Sequence, residues 1–387
     1  MDFMLSEELE MLRDMARDFV SEKIAPFADE WEENHYFPYE EVIRPMGELG
    51  FFGTVIPEEY GGNNMGWLAA MILTEEIARA SGALRVQINM QGLGCAFPIY
   101  RHGSEELKKK YIPRLVSAEY IGCFAITEPN AGSDVMSLKT TAADKGDHWL
   151  INGSKTWISN ATIADVLILY AYTDKEAGGR GLSAFVLEPK NFNGITTTNL
   201  DKMGLRSCPT GEIILEDTKI PKENILGKPG DGAKIVFGSL TQTRLSAAAG
   251  GIGLAQACLD AATSYCKERE QFGKPIGQYQ MNQDLIAQIS AEIEAARLMV
   301  YKAAWQKDQG ELGNTLEVVH AKYLAGEVAV KSSQVAMKIL GAYGYSTEYP
   351  VARFYRDAPS IQIVEGSTNI CKWIIALDQL DIRKANR

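Results

Sequence analysis

The strongest constraint on this chain is that its apolar residues change period twice. From Ser6 to about Arg114, Leu9, Leu12, Ala16 and Phe19 recur at steps of three and four, which places them on one helix face with Ser6 as a cap. Further helices are expected over 39–49, 68–80 and 105–115, with "PEEYGGNNMG" as a loop between them. Near Tyr120 the pattern becomes short β-branched and aromatic runs, "CFAIT", "HWLINGSKTWIS", "DVLILYAY", "LSAFVLEP" and "GEIILEDTKI", broken by Gly, Asn, Asp and Pro. That is the mark of an antiparallel β unit. After "NILGKPGDGAK" the helical spacing returns, with Leu285, Ile289, Ala296 and Met299 on one stripe and Ile286, Ile293 and Val300 on another. The expected fold class is therefore α+β and multidomain: helices over 1–119, a β unit over 120–228 and a four-helix-like bundle over 229–387. A chain of 387 residues with 46% hydrophobic content can bury a core of that extent.

Charge and composition narrow the function. Against 39 basic residues stand 50 acidic ones, a net −11, whose long-range field repels nucleic acid and anionic membranes. "KKK" at 108–110 reads as a solvated helix face. No apolar run approaches the ~20 residues of a membrane span. "MDFMLSEELEML" has acids where a signal peptide needs basic residues, so a cytoplasmic protein is expected. The six cysteines form no C-x-x-C pair and sit mostly in apolar contexts, which points to reduced, buried thiols. The four histidines are scattered, without ligand spacing to one another or to acids. Neither a metal nor a histidine base is the natural engine of such a chain.

Two glycine motifs fail on context. "GGIGLA" (250–255) follows a helical stretch where a dinucleotide site requires a strand, so its glycines read as close helix packing. "GKPGDGAK" lacks the G-K-[ST] of a P-loop. More informative is "CFAITEPNAGSD" (123–134) followed by "KTWISN" (155–160). A strand runs into a turn rich in small polar residues, which can offer N–H groups and hydroxyls to a heterocycle or phosphate, while Trp157 supplies a flat face. Taken singly, these are an ordinary turn and a buried tryptophan. In "IVEGSTNI" (363–370), Glu365 is either a solvated acid at the start of a helix or a base.

Together with "TRLSAAAGGIGLAQACLD", "EREQFGKPIGQYQ", "LGAYGYSTEYPVARFYRD" and "VEGSTNI", these motifs resemble the acyl-CoA dehydrogenase family of flavoproteins in order and spacing over nearly the whole chain. The resemblance implies an N-terminal helical domain, a central β-barrel-like domain and a C-terminal four-helix bundle. It also implies FAD between them, a homotetramer and an electron-transferring flavoprotein as acceptor.

By position, the resemblance puts Ile126 and Thr127 at the pyrimidine edge of the flavin, where donors hold charge that develops on reduction. Ser133 reaches pyrophosphate or CoA, Trp157 covers the flavin, and Ser159 hydrogen-bonds near the hydride-accepting nitrogen. Arg269, Gln271 and Phe272 reach the FAD of a neighbouring subunit; without that context Arg269 is a surface charge and Phe272 a core residue. Gln280, Gly341, Ser367 and Asn369 are further cofactor candidates. Gly-Ala-Tyr-Gly and Lys338 depart from the family pattern on the adenosine side. Arg244 orders the thioester pocket. Thr243 occupies a place where a minority of the family has its base. Glu365 matches the usual base, which removes the proton next to the thioester carbonyl, and Gly366 allows the close turn. Water expelled by the ligand strengthens that base.

Within the family, "EEIARASGALRVQINMQ" and "GFFGTVIPEEYGG" are most similar to glutaryl-CoA dehydrogenases and their alicyclic acyl-CoA relatives. Arg85 matches an arginine that pairs the distal carboxylate of glutaryl-CoA; a structural arginine at a helix end is the other reading. Ala78 stands where the group has an acidic partner, and Val364 where decarboxylating members have Tyr. Gln91 cannot serve as the acid some alicyclic relatives place there, so α,β-desaturation is expected. Met90 and Gln91 would form an uncharged wall. Cyclohexane-1-carboxyl-CoA is the expected substrate, with glutaryl-CoA oxidised without CO2 release as the alternative. An oxidase and a flavin-free scaffold are the remaining readings.

Overall fold

The computed structural model describes residues 4–382; the outermost ends of the expected 1–119 and 229–387 units lie outside that range. Helix α1 (Glu7–Phe19) starts where Leu9 N–H donates to the Ser6 hydroxyl at 3.3 Å, satisfying a donor the first turn leaves free. Helices α2 (Ala28–Glu33), α3 (Arg44–Glu48), α4 (Trp67–Ala80), α5 (Phe97–His102) and α6 (Glu105–Val116) follow. Nearly every residue of α4 is buried, as expected of a helix apolar on all sides. Between α4 and α5 the segment Ile88–Ala96 winds as a buried π-helix, a geometry frequent at functional sites.

Eight strands form one sheet: β1 (Gly122–Ala125), β2 (Thr141–Asp144), β3 (His148–Ser159), β4 (Val166–Tyr172), β5 (Leu182–Leu187), β6 (Ile195–Asn199), β7 (Thr210–Pro221) and β8 (Ile225–Leu226). The order β6-β7-β3-β2-β4-β5-β8, with β1 on β4, leaves β6 and β8 as the ends of the path. The antiparallel expectation needs correction at β4, which β1 meets in parallel with Gly122 opposite Val166 and β2 touches in parallel at Thr141 opposite Tyr172. A two-residue period reports which face a side chain occupies and not the direction of the partner strand. Strands β4 and β5 are buried along their whole length, and their unbroken apolar runs show it.

The last unit contains α7 (Gly232–Glu268), a small hairpin of β9 (Glu270–Gln271) and β10 (Lys274–Pro275), then α8 (Gln280–Asp308), α9 (Thr315–Leu340), α10 (Ala342–Tyr345), α11 (Val351–Ile363) and α12 (Thr368–Gln379). The buried line of α8 is Ile289, Ile293, Ala296 and Val300. It straddles the two expected stripes because the helix packs against α4, α7 and α9 together. Helix α7 is long and apolar enough to cross a membrane by composition, and that apolar length is spent on α4, α8, α9 and α11. Its glycines allow the approach: a Cβ on Gly253 would lie 2.1 Å from the Glu75 carbonyl oxygen of α4. Asp308 locks α8 to α4 by accepting Trp67 N–H at 2.6 Å and Leu68 N–H at 3.0 Å, a carboxylate at a helix N-terminus. One core cluster runs from Ile99 and Leu115 through Phe124 and Ile168 to Leu245 and Ala249, tying the three units around a shared cavity. All six cysteines are buried and free.

Candidate active site

A cavity of about 670 Å³ is lined by the π-helical segment, the ends of β1 and β3, α7 and the turn between α11 and α12. Glu365 sits on that turn with a left-handed φ of 56°, followed by Gly366 at 97°. A non-glycine residue pays for that conformation, so it needs outside support. Arg244 Nε on α7 donates to the Glu365 carbonyl at 2.8 Å, and Ser367 caps α12 by accepting from Ile370 N–H. The carboxylate is held as well: Asn89 Nδ2 donates to Oε1 at 3.1 Å and the Thr243 hydroxyl donates to Oε2. Thr243 therefore fixes the Glu365 carboxylate.

Arg85 enters from the turn between α4 and the π-helical segment. Its residue is only 2% exposed, its Nε has no hydrogen-bond partner, and among the described residues no carboxylate forms an ion pair with it. The stem lies over α7, where a Cβ on Gly250 would come within 2.7 Å of Arg85 Cδ. Burial lowers the guanidinium pKa, with Glu365 and then Cys208 and Asp357 opposing. An unpaired buried cation is costly unless a ligand completes it. Met90, Val364 and Leu205 line the cavity with it. Leu205 stands at a φ of 54° because carboxylates from two units hold its loop: Asp357 accepts Leu205 N–H at 2.7 Å, and Glu32 accepts Arg206 N–H at 2.8 Å and Ser207 N–H at 3.1 Å. Burial, helped by Glu32, pushes Asp357 up to about 7.

The strand wall carries Ile126, Thr127, Ser133, Trp157 and Ser159. Trp157 interrupts β3 at a register shift between Lys155 and Ile158, has a φ of 59° and is 60% exposed. Behind it, Lys155 donates to the Ile126 carbonyl at 3.1 Å and to Glu128 at 2.7 Å, and Glu128 also accepts Lys139 N–H at 2.6 Å. An open indole beside the hydroxyls of Thr127, Ser133 and Ser159 fits a flat, polar-edged heterocycle, so these residues suit the isoalloxazine of FAD.

Arg85, Met90, Ile126, Thr127, Ser133, Trp157, Ser159, Arg244, Glu365, Gly366 and Ser367 thus meet in one cavity. Gln91 does not. Its amide donates to the Leu115 and Tyr120 carbonyls and accepts Gly122 N–H, so the expectation of a pocket wall is corrected to a brace between α6 and β1. Arg269, Gln271, Phe272, Gln280, Gly341 and Asn369 lie outside the cavity on exposed positions. Phe272 is 94% exposed at a φ of 52°, and the Arg269 guanidinium lies over the Tyr343 ring at 5.6 Å. Sequence reasoning missed Asn89, Leu205 and Lys322, whose amine donates to the Gly366 carbonyl at 3.3 Å. Asn89 falls one turn after Arg85, a signal that was available.

The three layers and this cavity are those of a flavin-dependent thioester oxidoreductase. The chain matches the acyl-CoA dehydrogenase N-terminal domain over residues 6–119, the middle domain over 123–218 and the C-terminal domain over 230–379. It belongs to the acyl-CoA dehydrogenase family and is FAD-dependent. It is 71% identical to the glutaryl-CoA dehydrogenase of Desulfococcus multivorans, covering 100% of both chains. A solved glutaryl-CoA dehydrogenase in complex with glutaryl-CoA superposes with a TM-score of 0.98 at 70% identity, covering 100% of this chain and 98% of that one. An FAD complex of PigA superposes at 0.94 with 31% identity, covering 99% and 100%.

Proposed function

We propose that this enzyme oxidises glutaryl-CoA to its α,β-unsaturated thioester and keeps the distal carboxylate. The observation that carries the reading is Arg85, a buried guanidinium without an anion in the cavity that holds Glu365. The 71% identical relative is a glutaryl-CoA dehydrogenase, which favours this substrate over the cyclohexane-1-carboxyl-CoA expected from sequence. A cyclic hydrocarbon would leave Arg85 unpaired, whereas a five-carbon diacid brings a carboxylate to it.

Glu365 takes the proton from the carbon next to the thioester carbonyl. The thioester carbonyl accepts from the Glu365 backbone N–H, which steadies the enolate charge as it forms. When bound, FAD supplies the acceptor for the hydride leaving the next carbon. Thr127 and Ser159 hold its polar edge, Trp157 covers it, and Ser133 meets its phosphates or CoA. Val364 lines the cavity with Arg85 and offers no hydroxyl, and Ala78 stands where the group's acidic partner would be. A carboxylate paired with guanidinium is stabilised as the ion and resists leaving as CO2. The three units over 1–119, 120–228 and 229–387 would assemble as a cytoplasmic homotetramer. Arg269, Gln271 and Phe272, with Gln280, Gly341 and Asn369, would complete the adenosine side across subunits. An electron-transferring flavoprotein would then take the electrons.

The test is Glu365→Gln with glutaryl-CoA under anaerobic conditions, with product masses from the unmutated enzyme. The amide variant should keep FAD and bind substrate but lose flavin bleaching by at least about a thousandfold. The unmutated enzyme should give glutaconyl-CoA. Bleaching of Glu365→Gln at the normal rate would overturn the base, and crotonyl-CoA with CO2 would overturn carboxylate retention.

A further inference from the structure

The turn that carries the base is held at two consecutive carbonyls by two buried cations. Arg244 from α7 holds Glu365 O at 2.8 Å, and Lys322 from α9 holds Gly366 O at 3.3 Å. Lys322 is 1% exposed, and no carboxylate forms an ion pair with it among the described residues. A lysine mid-helix that exists only to fill the core is normally replaced by an apolar residue, because burying an ammonium costs far more than packing its stem returns. Here it sits under the two left-handed residues, Glu365 at 56° and Gly366 at 97°. Each carbonyl anchor removes a rotation through which the carboxylate could drift from the substrate. Loss of position at a reacting group lowers the rate steeply.

We propose that Lys322 is a positioning residue for proton abstraction: by donating to the Gly366 carbonyl it fixes the turn from which Glu365 reaches the α-carbon. The inference rests on the reading of Glu365 as the base. Burial lowers the Lys322 pKa to about 8; Cys371 of α12 and Glu365 favour the charged form, and Arg244 and Arg85 oppose it. A charged donor grips a carbonyl harder than a neutral amine, so the anchor weakens as pH rises through that value.

The experiment follows washout of deuterium from C2-deuterated glutaryl-CoA with the flavin kept reduced, which reads proton transfer alone, beside steady-state kcat and KM. Lys322→Met should slow washout and kcat by about tenfold or more with KM within about twofold. Lys322→Arg should recover most of the rate. The unmutated enzyme should lose rate above about pH 8, and Lys322→Arg should not, because a guanidinium stays charged. If Lys322→Met does not fold, Lys322→Gln and the Lys322→Arg pH profile decide the question. An alkaline loss that persists unchanged in Lys322→Arg belongs to another group and overturns the proposal. So does a Lys322→Met or Lys322→Gln enzyme with normal washout. Glu365→Gln in the same assay separates the two readings: normal washout there defeats the base itself, whereas a dead Glu365→Gln beside normal Lys322 variants defeats only the anchor.

Discussion

Lys155 and Arg85 are both buried cations at walls of the same cavity, and the fold treats them in opposite ways. Lys155, behind the strand wall, has Glu128 at 2.7 Å and the Ile126 carbonyl at 3.1 Å. Burial lowers it to about 8 while Glu128 opposes. Burial acts on Glu128 in the other direction, but Lys155 and the donors from Thr140 and Lys139 hold it below the ordinary carboxylate value. Arg85 has no such companion. A buried charge with an internal partner is scaffold, and one without is waiting for something from outside. The buried charges behind the strand wall are therefore balanced within the protein, whereas the α4 to α5 side presents a cation with no protein carboxylate on it.

The sharpest way to break this contrast is stability. Lys155→Met leaves Glu128 buried without its cation, and should cost about 3–5 kcal/mol in denaturant unfolding. Arg85→Met removes a charge that has no protein partner and keeps a stem-like side chain, so stability should stay within about 1 kcal/mol or rise. Equal losses would mean that Arg85 is structural.

A smaller effect concerns pH. Lys322, another buried cation that forms no ion pair with a carboxylate among the described residues, has a folded pKa near 8 against an ordinary 10.5. Between those values the unfolded chain binds more protons, so unfolding free energy should rise with pH, by at most about 3.4 kcal/mol. Lys322→Met should flatten that rise. A fall in stability across this window that depends on Lys322 would show that the lysine has an anion.

The Glu365 carboxylate supplies a finer comparison. Asn89→Ala removes one donor from Glu365 Oε1 and leaves the Thr243 hydroxyl on Oε2. The kcat should change by about three- to tenfold, the value of one ordinary hydrogen bond, with stability little altered. A loss as large as that of Glu365→Gln would make Asn89 part of the proton-transfer machinery.

These contrasts also mark what the sequence could reveal. Glu365, Trp157, Thr127 and Arg85 were singled out by the family resemblance of their motifs, because each taken alone also fits a solvated acid, a core ring, an ordinary turn or a helix-end arginine. The three-unit order was legible from period alone. Gln91 misled because its neighbours in sequence are pocket residues, while its amide is consumed by the backbone of α6 and β1. Lys322 was hidden for a related reason: a lysine in "EVVHAKYLAG" looks like a solvated face until α9 is packed against α7, α11 and α12. The parallel β1–β4 pair and the displaced seam of α8 belong to the same class, since both depend on which elements become neighbours.

The most direct measurement of the central claim compares unmutated enzyme with Arg85→Ala on two thioesters, glutaryl-CoA and cyclohexane-1-carboxyl-CoA, by anaerobic flavin bleaching. The unmutated enzyme should strongly prefer glutaryl-CoA. Arg85→Ala should lose about 2–5 kcal/mol of kcat/KM for glutaryl-CoA and change only a few-fold for the cyclic thioester. A preference of the unmutated enzyme for the cyclic thioester, or an equal loss on both substrates in Arg85→Ala, would contradict the assignment of Arg85 to the distal carboxylate.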